Sequence, residues 1–394
     1  MPQLPLNLSE NATLPVDGYL GALAGRVWRP ELGGPSIVAA RPDGLVDVTR
    51  HFPTLRDLSE QSDPGAALRA AQGERFASLE DVLANTPQAR RDPAKPWLLA
   101  PADLQAIKAA GVTFATSMLE RVIEERARGD RDAAARIREE MIGLIGDDLS
   151  RLKPGSPAAM RLKDALIAEG AWSQYLEVGI GPDAEIFTKS QPMSAVGHGA
   201  DAGFHVASIW NNPEPEVVLA VNSGGRIVGA TLGNDVNLRD VEGRSALLLG
   251  KAKDQNASCA IGPLLRLFDG SFSLDDVREM HVGLTVEGED GFRLEGGSSI
   301  AKISRDPADL VAQMIGTSHQ YPDGAMLFLG TMFAPVADRD APGKGFTHKV
   351  GDIVTVAADK LGRLTNRMRH CQECPPWTFG AGHLMRNLAK RGLI

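Results

Sequence analysis

Trp210-Asn211-Asn212-Pro213-Glu214-Pro215-Glu216-Val217-Val218-Leu219-Ala220-Val221, followed by Gly233-Asn234-Asp235-Val236-Asn237-Leu238-Arg239-Asp240, is the stretch on which the reading of this chain turns. Residues 216–221 are β-branched or aliphatic and read as a strand, with 226–231 as the next one. In a strand, residues i and i+2 point to one face, so Glu214 and Glu216 aim their carboxylates side by side. Two like charges so placed repel, and the pair stands either on a solvent face or about a cation. Pro213 and Pro215 remove backbone donors, which marks an irregular or edge segment. Gly233-Asn234-Asp235 reads as a turn able to bring a third carboxylate to the same place. Three carboxylates with room for water and substrate oxygens suit an octahedral hard cation, Mg²⁺ or Mn²⁺. Lys251 and Lys253 follow, and a lysine held beside a metal in a closed pocket has a lowered pKa and can act as a base.

Around this stretch, the 394 residues are too many for one ordinary core, and two or three folding units are expected. A hydrophobic fraction of 43% with 23% charged residues is that of a globular chain, and no run reaches the roughly 18 apolar residues a membrane span needs. Met1-Pro2-Gln3-Leu4-Pro5 has neither the cationic start nor the apolar run of a secretory signal, so a cytoplasmic protein without a membrane partner is expected. Only three cysteines occur, Cys259, Cys371 and Cys374, in keeping with a reducing compartment. The formal net charge of −8 argues against nucleic acid, whose recognition calls for a basic face.

Residues 1–96 mix short strand-like runs, such as 36–40, with loops and are expected to form a small N-terminal α/β domain. Trp97-Leu98-Leu99-Ala100-Pro101 leads into a short helix and then the apolar piece 111–115. Ser117, with Glu120 three residues on, reads as a capping box. Residues 120–147 are dense in Glu, Arg and Ala with apolar residues at helical spacing, and Pro154-Gly155-Ser156 separates them from a second helix over 158–168. Such a helical region is either a solvated hairpin packed on a core or a lid over a site. Beyond Gly181 the pattern turns to strands, with 281–286 and 352–357 the plainest, Glu289-Asp290-Gly291 as a hairpin turn, and Asp306-Pro307 opening a helix. Residues 97–394 are therefore expected to be a β-rich α+β catalytic domain, with 117–171 as its helical lid region.

Several common motifs are missing. No Gly-x-Ser-x-Gly elbow, Walker loop or Gly-x-Gly-x-x-Gly fingerprint is present. His370-Cys371-Gln372-Glu373-Cys374 offers half a zinc pattern without a second cysteine pair, and reads as a loop with two reduced thiols.

The ordered set Glu214-Pro215-Glu216, Asn234-Asp235, Arg239-Asp240, Lys253 and Gly262-Pro263 resembles the fumarylacetoacetate hydrolase family. Phe328-Leu329-Gly330-Thr331 is similar to that family's Gly-Thr turn, and Gly351-Asp352, Leu361-Gly362 and Asn366 to its closing strands. The resemblance covers about residues 100 to 370, and it implies a mixed β-roll or barrel catalytic domain with a helical lid and a smaller N-terminal domain. Pro213 to Glu216, Glu185-Ile186-Phe187-Thr188-Lys189 and Gly233 to Glu242 most resemble the sugar-acid branch. Its members dehydrate 2-keto-3-deoxy-pentonates such as 2-dehydro-3-deoxy-D-arabinonate (2-keto-3-deoxy-D-xylonate) to 2,5-dioxopentanoate in pentose oxidation, D-xylose degradation included. Asn237 stands where a serine is usual, and residues 244–251 depart from that branch.

What the resemblance implies for the site is specific. Glu214, Glu216 and Asp235 would hold Mg²⁺, with Mn²⁺ as a substitute. Lys253 would be the base at C3, and Glu120 with a water the acid at the C4 hydroxyl. Arg239, Thr331, Gly330 and Lys189 would bind the small 2-keto acid. Hydrolytic members carry a His-x-x-Glu pair where this chain has Ser117 and Glu120, and losing the imidazole favours elimination over hydrolysis. A hydrolase of a 1,3-diketo acid, a 2-keto acid decarboxylase and a non-catalytic metal-binding protein are the other readings, and a homodimer or homotetramer is the assembly implied.

Overall fold

In a computed structural model, the structure describes residues 4–128, 130, 133–134, 153–168, 170, 172–333, 335 and 337–394. The stretch 135–152, within the expected lid region, lies outside the described residues.

An eleven-stranded sheet organises the chain. Its order runs Glu74–Ala77, Gly44–Asp47, Gly34–Arg41, Ala22–Arg29, Cys259–Leu267, Ile227–Asp235, Pro215–Val221, Ala325–Phe328, Ala106–Gly111 and Glu185–Ser190, with Trp97–Leu99 pairing on Ala22–Arg29. A second sheet of five strands runs Arg293–Ser299, His281–Glu287, Ile353–Ala358, Gly362–His370 and Asp201–Phe204. The β-rich α+β class expected from the sequence is what the chain adopts. Among the described residues the outermost strands of the large sheet do not pair with each other, so it is an open sheet and not a closed barrel.

Pro215–Val221 shows why this stretch is so aliphatic. Val217, Leu219 and Val221 join the core that faces the five-stranded sheet, while Val218 and Ala220 join the core on the opposite face. A strand covered on both faces reads as a continuous apolar run, and this one is central, not an edge. The irregularity signalled by the two prolines sits just before it, where Asn211–Asn212 leaves the large sheet to pair with Asn237–Leu238.

Three local expectations change. The short helix expected after Pro101 is instead the strand Ala106–Gly111, aligned parallel to Ala325–Phe328, with Ile107 and Ala109 buried. Its alanines favour helix locally, and the sheet neighbour overrides that preference. Ser117 is not a cap: the helix Ala115–Arg126 has Phe114 at its N-cap, so Ser117 lies in the first turn, and its side chain lies outside the described ones. Gly233-Asn234-Asp235 is the end of the strand Ile227–Asp235, in register with Pro215 and Glu216. Gly233 is needed there because a Cβ would sit 2.2 Å from the Phe328 ring.

The four strands of residues 22–77 belong to the large sheet and form none of their own, joined through Ala22–Arg29 against Cys259–Leu267. No helix among the described residues is long and apolar enough to cross a membrane.

Candidate metal centre

Glu214, Glu216 and Asp235 converge. Each offers a carboxylate oxygen, and these oxygens lie within 4.8 Å of one another in a group buried on every side. The convergence follows from register: the backbone N–H of Glu214 donates to Asn234 Oδ1 at 3.0 Å, and that of Asp235 to the Glu214 carbonyl at 3.0 Å. Glu216 accepts from the Gly330 N–H at 2.7 Å. Gly330 has φ +97°, and a Cβ there would meet Thr113 Oγ1 at 2.1 Å, so only glycine brings that N–H to the carboxylate.

Lysines and arginines close the site from behind. Lys253 Nζ donates to Glu214 Oε2 at 2.5 Å and Asp235 Oδ2 at 3.0 Å. Lys189 Nζ lies 2.8 Å from Asp235 Oδ1 and also donates to the carbonyls of Val236 and Lys253. Arg121 pairs with Glu214, with Glu124 at 2.8 Å and with Glu242 at 3.1 Å. Arg239 pairs with Glu124 at 2.6 Å and Glu120 at 3.1 Å, its guanidinium 4.4 Å above the Trp210 ring. The pairing is reciprocal: the helix supplies Arg121, Glu120 and Glu124, and the segment facing it supplies Glu214, Glu242 and Arg239.

The electrostatics follow from burial. Glu120, Glu124, Glu214, Glu216, Asp235 and Glu242 are six buried carboxyl groups against four buried cations, Arg121, Lys189, Arg239 and Lys253. Burial raises the Glu216 carboxyl well above its ordinary value, and the charges of Asp235 and Glu214 add to it. Burial also raises Asp235, but Lys189 and Lys253 outweigh it and hold that carboxyl below the usual range. Glu185, half-buried nearby, is pushed up to about 7 by burial and by the charge of Glu242. An all-oxygen donor set of this kind suits a hard divalent cation. The residues present therefore fit Mg²⁺.

The carboxylates around Lys253 act against burial on its pKa. Burial alone would lower it, but Asp235, Glu214 and Glu242 outweigh that effect and keep the group an ammonium. Two residues expected to bind substrate touch the carboxylates: Lys189 holds Asp235, and Gly330 holds Glu216. Thr331 is buried, its hydroxyl donating to the Phe333 carbonyl at 3.0 Å. Arg121, Glu124 and Glu242 were not foreseen as site residues. The available signal was Glu120-Arg121 with Glu124, one helical turn of mixed charge interrupted by Val122 and Ile123, which a solvated helix would not place there.

Comparison with known proteins agrees with this architecture. The model for the fumarylacetoacetate (FAA) hydrolase C-terminal region matches residues 167–369. The 2-dehydro-3-deoxy-D-arabinonate dehydratase of Saccharolobus solfataricus is 32% identical over 183 residues, 46% of this chain and 57% of that protein. A probable 2-keto-3-deoxyxylonate dehydratase of Haloferax volcanii is 30% identical over 193 residues, 49% of this chain and 62% of that protein. The chain thus spans somewhat over half the length of these curated relatives that it matches. Among solved structures, 2-keto-3-deoxy-D-arabinonate dehydratase in its apo form has a TM-score of 0.59 at 20% identity, covering 88% of this chain and 99% of that one. The same enzyme complexed with magnesium and 2,5-dioxopentanoate has a TM-score of 0.58 at 20% identity, with the same coverage. These likenesses establish the fold.

Proposed function

The chain belongs to the fumarylacetoacetate hydrolase family, and from that premise we propose that it is a Mg²⁺-dependent hydro-lyase that dehydrates 2-keto-3-deoxy-D-xylonate (2-dehydro-3-deoxy-D-arabinonate) to 2,5-dioxopentanoate. The observation that carries the reading is the convergence of three buried carboxylates with Lys253 at one point. The names of the two curated relatives, and the magnesium and 2,5-dioxopentanoate bound in a structural neighbour, support the choice of substrate and metal.

Bound to Glu214, Glu216 and Asp235, Mg²⁺ would act as a Lewis acid toward the carboxylate and keto oxygens of the substrate. Lys253 is the group proposed to take the C3 proton. An ammonium has no free electron pair, so this role needs Lys253 as the neutral amine, a form that a divalent cation held beside it would favour. Glu120, oriented by Arg239, is proposed as the acid that assists departure of the C4 hydroxyl. Lys189 and Gly330 act as positioning residues for Asp235 and Glu216, and Arg239 and Thr331 are proposed to orient the substrate. With serine at 117, no imidazole is available at that position to activate water for carbon–carbon cleavage, which supports elimination over hydrolysis. In this reading residues 97–394 hold the catalytic machinery and residues 1–96 brace its sheet.

The test is turnover of 2-keto-3-deoxy-D-xylonate by purified protein with Mg²⁺ and with EDTA, coupled to an aldehyde dehydrogenase that reports 2,5-dioxopentanoate. Metal-dependent aldehyde formation is expected, with Glu216→Gln reduced at least about 100-fold in kcat/KM. Release of two carbon fragments or of CO₂ would instead identify a diketo-acid hydrolase or a decarboxylase, and metal binding without turnover a non-catalytic protein.

A further inference from the structure

Beside the carboxylate centre, two buried amides stand directly opposite each other. Asn212 and Asn237 are partners in the short ladder of Asn211–Asn212 with Asn237–Leu238, and both are 0% exposed. Directly opposed residues of an antiparallel pair point to one face. Val236 and Leu238 enter the core that faces the five-stranded sheet, so Asn237 between them points to the other face, which is that of Asp235. Two residues along an extended chain are about 7 Å apart, so the Asn237 amide is within reach of the far end of a five-carbon acid held on a metal at Asp235.

These amides are uncommitted. Asn212 Nδ2 donates to the Pro213 carbonyl at 2.9 Å, but its Oδ1 has no hydrogen-bond partner among the described residues. Both Oδ1 and Nδ2 of Asn237 are likewise open, so interchanging the two atoms would satisfy neither. A buried amide left unpaired is costly, and such groups persist where water or a ligand completes them. The cations of the centre differ, since Arg121, Lys189, Arg239 and Lys253 each hold a carboxylate. Enclosure does not set the amides apart from the site, because Glu216 and Asp235 are themselves only 1% exposed. A substrate admitted to those carboxylates is admitted beside Asn237 as well.

We infer that Asn237, with Asn212 facing it, receives the C5 hydroxyl of the substrate and so selects a hydroxylated 2-keto acid over a diketo acid. The inference rests on the function proposed above, in which the keto acid end goes to the metal and the C4 hydroxyl to Glu120, leaving the C5 hydroxyl without an assigned partner. Two open acceptors and one open donor match a hydroxyl, which gives one hydrogen bond and takes another. A carbonyl in its place could only accept, and would leave both amide oxygens unpaired. Sites built to hydrogen-bond a hydroxyl reject analogues that lack it, because their own polar groups are then stranded. Asparagine, where the sugar-acid branch usually has serine, carries its donor and acceptor one bond further from the backbone.

The experiment titrates 5-hydroxy-2-oxopentanoate and 2-oxopentanoate into the Mg²⁺-loaded protein, read by calorimetry. The two acids differ by one hydroxyl, and both lack the C4 leaving group, so binding is read without turnover. The wild type should bind the hydroxylated acid at least about tenfold more tightly. In Asn237→Leu, nearly isosteric and apolar, or in Asn237→Ala if the larger side chain disturbs the fold by circular dichroism, the ratio should fall to about twofold or less. Equal binding of the two acids by the wild type, binding of neither, or a ratio unchanged in the variant would overturn the inference. Turnover of 2-keto-3-deoxy-D-xylonate is measured alongside. A tenfold preference without turnover would overturn the dehydratase reading and keep this subsite, whereas turnover with equal binding of the two acids would do the reverse.

Discussion

Arg121 holds three carboxylates that otherwise face one another: Glu214, Glu124 and Glu242. Breaking a buried pair by removing one partner leaves an uncompensated charge and costs about 3–5 kcal/mol. Arg121→Met should therefore lower stability by about that amount in urea melts, well beyond an ordinary surface substitution. A loss below about 0.5 kcal/mol would show that the carboxylates find other partners. The contrast between Arg121 and Glu216 also shows what a sequence can disclose. Glu214, Glu216 and Asp235 were legible because strand periodicity fixes the direction of i and i+2, and the following strand must return beside the first. Arg121 was not, because its partners are reached only by tertiary docking of the helix Ala115–Arg126, which no local spacing encodes. The carboxylates that surround Lys253 were hidden for the same reason, since Glu214, Asp235 and Glu242 meet it only in space.

At the scale of elements, Asp269 ties together three pieces that lie far apart in sequence. It accepts from the Ala22 N–H at 3.1 Å at the start of the strand Ala22–Arg29, from Arg69 of the helix Pro64–Ala70, and from Ser271 through its N–H at 2.7 Å and its hydroxyl at 2.6 Å. Burial pushes its carboxyl up, but Ser271, Arg69 and the Ala22 N–H pull it down from 3.8 to about 2. A carboxyl lowered on folding stabilises above its unfolded pKa and loses that contribution as pH falls through the folded value. Asp269→Asn should thus cost about 1–2 kcal/mol near neutrality, the deficit against wild type shrinking from about pH 4 towards pH 2 in thermal melts. A deficit that stays constant across that range would assign the effect to shape instead of charge. Elements with strong local signals, such as Asp306 capping the helix Pro307–Met314 and the Glu289-Asp290-Gly291 turn between His281–Glu287 and Arg293–Ser299, lie where the sequence indicates. Ala106–Gly111 was misread because alanines carry a helical preference and the strand's identity comes from its parallel neighbour.

For the whole molecule, sheet continuity decides what can be separated. Ala22–Arg29 covers one side of Cys259–Leu267, with Ala22, Leu23 and Ala24 opposite Leu267, Arg266 and Leu265. A chain of residues 97–394 alone would expose that edge and strip buried apolar surface, so it should aggregate or melt without cooperativity, whereas the full chain should show a single transition. A cooperative melt of 97–394 would mark it as an independent domain. The sequence suggested a boundary near residue 96 because polar residues cluster there, and the pairing of Ala22–Ala24 with residues 265–267, far along the chain, leaves no local mark. The reciprocal charge pairing between the helix Ala115–Arg126 and the segment facing it has one further consequence. At about 1 M salt the screening length falls to about 3 Å, which weakens exposed pairs such as Arg278 with Asp306. Mobile ions do not enter the packed space around Arg121, Arg239, Glu120 and Glu124, so the docking of that helix should be indifferent to ionic strength. Hydrogen exchange over residues 118–126 is expected to match in low and high salt, and this protein's architecture would then suit brine as readily as dilute buffer.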